Sequence, residues 1–96
     1  MELLVTYDVS TETKEGRRRL RRVAKICEGY GQRVQQSVFE CVVDGVRREE
    51  LINRLLETIE RGEDSLRVYH LLEPRSRYTQ IFGVEPAYDI HDPLIL

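Results

Sequence analysis

The sequence has little of what most enzyme classes need. It holds only two cysteines and two histidines in 96 residues. Cys27 and Cys41 fall on different predicted elements, so a disulfide framework is not expected, and both read as small buried apolar residues. A zinc centre would need those two to converge with His70 and His91, and no pair has ligand spacing. No Walker loop, G-x-G-x-x-G turn or Ser-His-Asp order appears, which removes three large enzyme classes. No apolar run is long enough for a membrane span, and no membrane partner is expected. The N-terminus reads as a strand rather than a signal peptide, so the expected location is the cytoplasm.

Charge is abundant and unevenly placed. The net charge is −2, yet the stretch from Lys14 to Arg33 carries +6 and leaves −8 for the remainder. Five arginines stand within six residues at Arg17, Arg18, Arg19, Arg21 and Arg22. Few acids lie nearby, and arginine rather than lysine suits phosphate contact. A solvated helix face is the plainer reading. The local field nevertheless favours a polyanion, DNA or RNA.

The hydrophobic pattern orders the chain as β-α-β-β-α-β. Leu3 to Val9 reads as a central strand buried on both faces. Ser10 to Thr13 offers N-caps for a helix ending near Glu28, with Leu20, Val23, Ala24 and Cys27 as its stripe. Gly16 in the first turn suggests that something approaches the backbone closely. Two short strands follow, joined near Gln36-Ser37, the second running from Val38 to Val43. A helix from about Arg47 to Arg61, with Ile52, Leu55, Leu56 and Ile59 inward, leads to a strand from Ser65 to Leu72. Two βαβ halves of this kind make an α+β, ferredoxin-like sandwich. The expected single domain has its core over about 1–73. An edge strand at Tyr78 to Phe82 and a docking tail complete it over about 74–96. So small a domain gains stability by pairing with a copy of itself.

Asp8 is the candidate for chemistry. It closes the first strand, where a rigid scaffold meets water. One reading is a turn or helix cap. The other is a ligand for a divalent cation, which takes carboxylate oxygens and promotes phosphodiester hydrolysis. One carboxylate is too few for a metal, and a two-fold dimer answers this by setting two copies of Asp8 across one axis. Strand alternation from Arg33 places Gln35, Ser37 and Phe39 on its face, which is expected to be partly wet or to pair across an interface.

Tyr7-Asp8-Val9-Ser10, the Arg17-Arg18-Arg19 helix start and the run from Gly31 to Glu40, with Arg33, Gln35, Ser37, Val38 and Phe39, together resemble the CRISPR-associated protein 2 family. The resemblance covers essentially the whole chain. It implies a ferredoxin-like homodimer with the strand-end aspartates facing each other. It further implies a metal-dependent endonuclease for single-stranded RNA or double-stranded DNA that takes part in spacer acquisition. The alternative is a non-catalytic DNA-binding scaffold bridging integrase subunits. Asp8 would be both catalytic residue and ligand for Mg²⁺ or another divalent cation such as Mn²⁺. Arg18, Arg19 and Arg33 would contact nucleic acid, while Tyr7, Ser37 and Phe39 match the motif around the site. The implied protein partner is the integrase, CRISPR-associated protein 1. Many relatives carry an aromatic residue where this chain has Gln36.

Overall fold

The computed structural model describes residues 1–84. Its elements are β1 (Glu2–Asp8), α1 (Lys14–Glu28), β2 (Gly31–Gln35), β3 (Val38–Val42), α2 (Gly45–Thr58) and β4 (Ser65–His70). The strands form one antiparallel sheet in the order β2-β3-β1-β4, the ferredoxin-like arrangement expected from the sequence.

Alternation along β1 decides which way each side chain points. Leu3, Val5 and Tyr7 are buried, whereas Glu2, Leu4 and Thr6 are only half-buried and Asp8 is exposed. Strand side chains alternate between faces, so the second set shares the opposite side of the sheet. The buried set joins Phe39 and Cys41 of β3 in one core with Val23, Ala24 and Cys27 of α1 and Leu51 and Leu55 of α2. Both helices therefore cover one face. Burying each larger apolar side chain there is worth about 1.5–3 kcal/mol. Among the described residues the opposite face carries no helix or sheet layer, only the segment from Arg75 across part of it, which is why β1 is central yet not buried on both sides.

The caps set the helix boundaries. The Thr13 hydroxyl accepts from the Gly16 N–H at 3.0 Å, and the Asp44 carboxylate accepts from the Arg47 N–H at 2.8 Å. Each satisfies a backbone donor with no partner inside the helix. Gly16 answers the expectation of a close approach, because a Cβ there would run into the Ser10 carbonyl. The polypeptide's own loop makes that approach, before any ligand is considered.

Three expectations change. Arg33 pairs with Phe39, but a bulge follows and Gln35 pairs with Val38. An extra residue in one strand inverts the alternation beyond it, so Gln35 leaves the face that Arg33 and Phe39 share, and Ser37 lies in the turn. Leu51, absent from the expected stripe of α2, is fully buried. The strand placed at Tyr78 to Phe82 does not form in the single chain. Arg75–Tyr78 is instead a 3-10 helix, and residues 79–84 have no regular structure. Arg75 anchors this segment: its N–H and guanidinium donate to Glu2 at 2.7 and 3.0 Å, and its Nε donates to Glu40 at 3.2 Å. Those contacts hold the chain over the open face rather than along a sheet edge. The docking tail beyond Val84, including His91, lies outside the described residues.

Candidate functional site

Asp8 is the last residue of β1, opposite Ser65 on β4. It is exposed, on the sheet face away from the helices, and among the described residues no hydrogen bond or ion pair engages its side chain. A cap would show such a bond, and none is present among the described residues.

Tyr7 points the other way. Its ring stacks on Phe39 with centroids 6.3 Å apart, and the Arg33 guanidinium lies 5.2 Å from the centre of the Phe39 ring. Arg33 Nη2 stands 3.9 Å from Glu28 Oε1. Burial pushes the Tyr7 hydroxyl up to about 12, with Cys27 adding and Arg33 opposing. The phenol stays protonated at neutral pH and cannot serve as a general base. Burial likewise raises the Cys27 thiol to about 12 and Cys41 to about 11, leaving both inert. Ser37 contributes its backbone, accepting the Tyr7 N–H at 3.2 Å and extending the support of the strand end past the ladder.

The predicted arginines separate into different environments. Arg18 is exposed on α1, together with Arg17, Arg21 and Arg22. Arg19 instead reaches Asp64 through Nε at 2.8 Å and Glu63 through Nη2 at 2.9 Å. Arg33 is only 7% exposed and belongs to the interior cluster with Phe39. Neither Arg19 nor Arg33 presents its guanidinium to solvent as Arg18 does among the described residues.

Asp64 is the residue that sequence reasoning missed. Its side chain is fully buried and accepts from the Ser10 N–H at 3.0 Å and the Glu60 N–H at 2.8 Å, besides the guanidinium. It thus ties the loop after Asp8 to α1 and to the end of α2. Burial alone would raise its carboxyl, but the bonds from Arg19, Glu60 and Ser10 outweigh that and hold it below the usual aspartate range. The available signal was an acid between Gly62 and the next strand, a position typical of side chains that bond backbone N–H groups.

One chain offers a cation a single carboxylate at the strand end. Among the described residues no group of three or more His, Cys, Asp or Glu side chains could hold a metal ion. A hard cation taking six or more oxygens, several of them from water, needs further anionic charge beside Asp8. A second copy of the same strand end is the simplest source. The donor chemistry fits magnesium or manganese on that condition. No helix of the described residues is long and apolar enough to cross a membrane.

The chain and its fold match known proteins. The family model described as CRISPR associated protein Cas2 matches residues 1–78. The chain is 52% identical over 96 residues to the CRISPR-associated endoribonuclease Cas2 1 of Moorella thermoacetica, covering all of both chains. It is 46% identical over 95 residues to the CRISPR-associated endonuclease Cas2 of Halalkalibacterium halodurans, covering 99% of each. The crystal structure of Streptococcus pyogenes Cas2 at pH 6.5 superposes with a TM-score of 0.79 at 49% identity, covering 86% of this chain and 100% of that one. The chain belongs to the CRISPR-associated protein Cas2 family.

Proposed function

We propose that the protein acts in CRISPR adaptation as a homodimer that cleaves phosphodiesters of single-stranded RNA or double-stranded DNA with a divalent cation, magnesium or manganese. Asp8 carries this reading: a carboxylate at the end of the central strand, exposed, with no described partner, on the sheet face opposite the helices. Joining two such faces buries Leu4 and Val38 and brings the two strand ends to one axis. The Asp8 carboxylates would hold the cation, which would supply Lewis-acid stabilisation of developing phosphoryl charge and promote deprotonation of water.

The chain's own residues bind and orient. Asp8 holds negative charge on a rigid strand. Arg18, with Arg17, Arg21 and Arg22 on the same helix, attracts the phosphate backbone. Arg19 and Asp64 fix the loop that leaves Asp8, while Arg33 and Phe39 pack behind Tyr7. The expected protein partner is the CRISPR integrase, which such a dimer would bridge. Purified wild type should show metal-dependent cleavage that Asp8→Ala abolishes. Equal cleavage by the two proteins would refute the assignment.

A second reading is favoured by the donor set itself. Among the described residues one carboxylate stands at the strand end, with a tyrosine that stays protonated next to it in sequence, and no general base accompanies them. A dimer could then serve as a DNA-binding scaffold between integrase subunits without chemistry of its own. Under that reading Asp8→Ala retains both duplex binding and spacer acquisition.

A further inference from the structure

On the helical face, away from Asp8, a groove of about 430 Å³ runs between α1 and α2. Arg22 and Lys25 of α1, Tyr30 after it, and Arg47, Glu50 and Arg54 of α2 line it. Among the described residues four cations thus meet a single acid.

The Tyr30 ring organises two of the cations. The Arg47 guanidinium lies 4.7 Å from its centre and that of Arg54 lies 5.9 Å away, both within cation–π range. Arg47 Nη2 also donates to the Gly29 carbonyl at 3.1 Å, which fixes its fork at the end of α1. The Tyr30 hydroxyl donates to Glu50 at 3.3 Å, giving the acid a partner other than the arginines. Among the described residues none of the four cations is matched to a carboxylate, whereas Arg19, Arg48 and Arg75 each are. Like charges held together this way repel one another, and an anion in the groove relieves that repulsion.

The groove continues a track on α1. Arg18, Arg22 and Lys25 follow i, i+4, i+7 spacing, one stripe about 10 Å long at 1.5 Å per residue. A row of cations of that length matches successive phosphates of a strand better than one small anion.

We infer that this groove is a phosphate-binding site for a nucleic-acid strand, with Arg47 and Arg54 as its principal donors and Arg18, Arg22 and Lys25 leading into it. It rests on the nucleic-acid reading above and adds a contact surface remote from Asp8. Binding needs no cation at Asp8, so the test is run with a chelator present and is independent of cleavage.

The test measures duplex and single-strand binding by full-length wild type, Arg47→Gln/Arg54→Gln, Glu50→Gln and Arg18→Gln across a salt series, after thermal melts confirm that each variant is folded. Each phosphate contact contributes about 0.9 to the log–log salt slope, so losing two shrinks the affinity ratio between about 50 and 200 mM salt roughly tenfold. Glu50→Gln removes the opposing charge and should tighten binding. A double variant with wild-type affinity and slope, beside an Arg18→Gln protein that binds more weakly, overturns the groove and leaves the function standing. A wild type that binds neither duplex nor single strand overturns both. Inorganic phosphate saturating the groove without competition from an oligonucleotide, or a polyglutamate peptide displacing the strand at equal charge, overturns the strand assignment.

Discussion

Gly16→Ala sets two effects of opposite sign against each other at a position that supports the site. Alanine in a helix is favoured over glycine by about 1 kcal/mol, so propensity alone stabilises the variant. The new Cβ, however, collides with the Ser10 carbonyl oxygen, and would also meet the Ser10 carbonyl carbon at 3.0 Å and Thr13 Oγ1 at 3.3 Å. The obstacle is backbone, and it cannot swing aside as a side-chain tip could. Ser10 is itself held, its N–H donating to the buried Asp64 carboxylate. Overpacking of this kind costs about 1–3 kcal/mol. Displacing the loop adds about 1–2 kcal/mol through the weakened bond to Asp64. The balance is a net loss of about 1–4 kcal/mol. For a domain of this size each kcal/mol lowers the melting temperature by about 4–8 °C. Calorimetry at fixed protein concentration reads the shift directly, with urea titration as the second measure. A variant that melts at or above the wild-type temperature refutes the claim that Ser10 is fixed against α1.

Other outcomes follow from the same contacts. Tyr7→Phe should cost about 1 kcal/mol of stability and leave the pH profile of any cleavage unchanged around neutrality, because the buried hydroxyl stays protonated; a shifted profile would assign it a proton-transfer role. Asp64→Asn should destabilise by about 1–2 kcal/mol at neutral pH by weakening charge-assisted bonds. Since the folded-state pKa of Asp64 is depressed, that deficit is fully present above the unfolded value of about 3.9 and is lost only as pH falls through the lower folded value. Denaturation of both proteins across acid pH checks this, and a difference constant to the lowest pH contradicts it. Phe39→Ala empties a fully buried site between Tyr7 and Arg33 and should cost about 3–5 kcal/mol in chemical denaturation; a loss below about 1 kcal/mol would mean that the ring is not packed as described.

Much of this architecture was legible because local signals agreed. The stripe of Val23, Ala24 and Cys27 lies inward, and the break near Gln36-Ser37 divides β2 from β3 as expected. Asp8 was legible as a strand-end acid, although the side to which it points depends on the phase of β1 against the core. What escaped was set by contacts between distant segments. Arg19 and Arg18 are adjacent in a run of like charges, yet Asp64, 45 positions away from Arg19, takes only Arg19 out of the solvated set. Glu2 and Glu40 likewise capture Arg75 over separations of 73 and 35 residues, so a short helix forms at Arg75–Tyr78 and the strand expected at Tyr78 to Phe82 does not. The bulge after Arg33 moved Gln35 to the opposite face because one extra residue reverses alternation without altering composition. The groove around Tyr30 depends on the packing of α1 against α2, which periodicity within either helix does not reveal.

The central claim is that Asp8 is half of a site completed by a second copy. Subunit mixing tests it most directly: wild type is exchanged with an equal amount of Asp8→Ala, and metal-dependent cleavage is compared with wild type alone at the same total concentration. If both carboxylates are required, only dimers with two intact strand ends cleave, and about a quarter of the activity remains after random exchange. Retention of about half would show that each protomer works alone and would contradict the shared site.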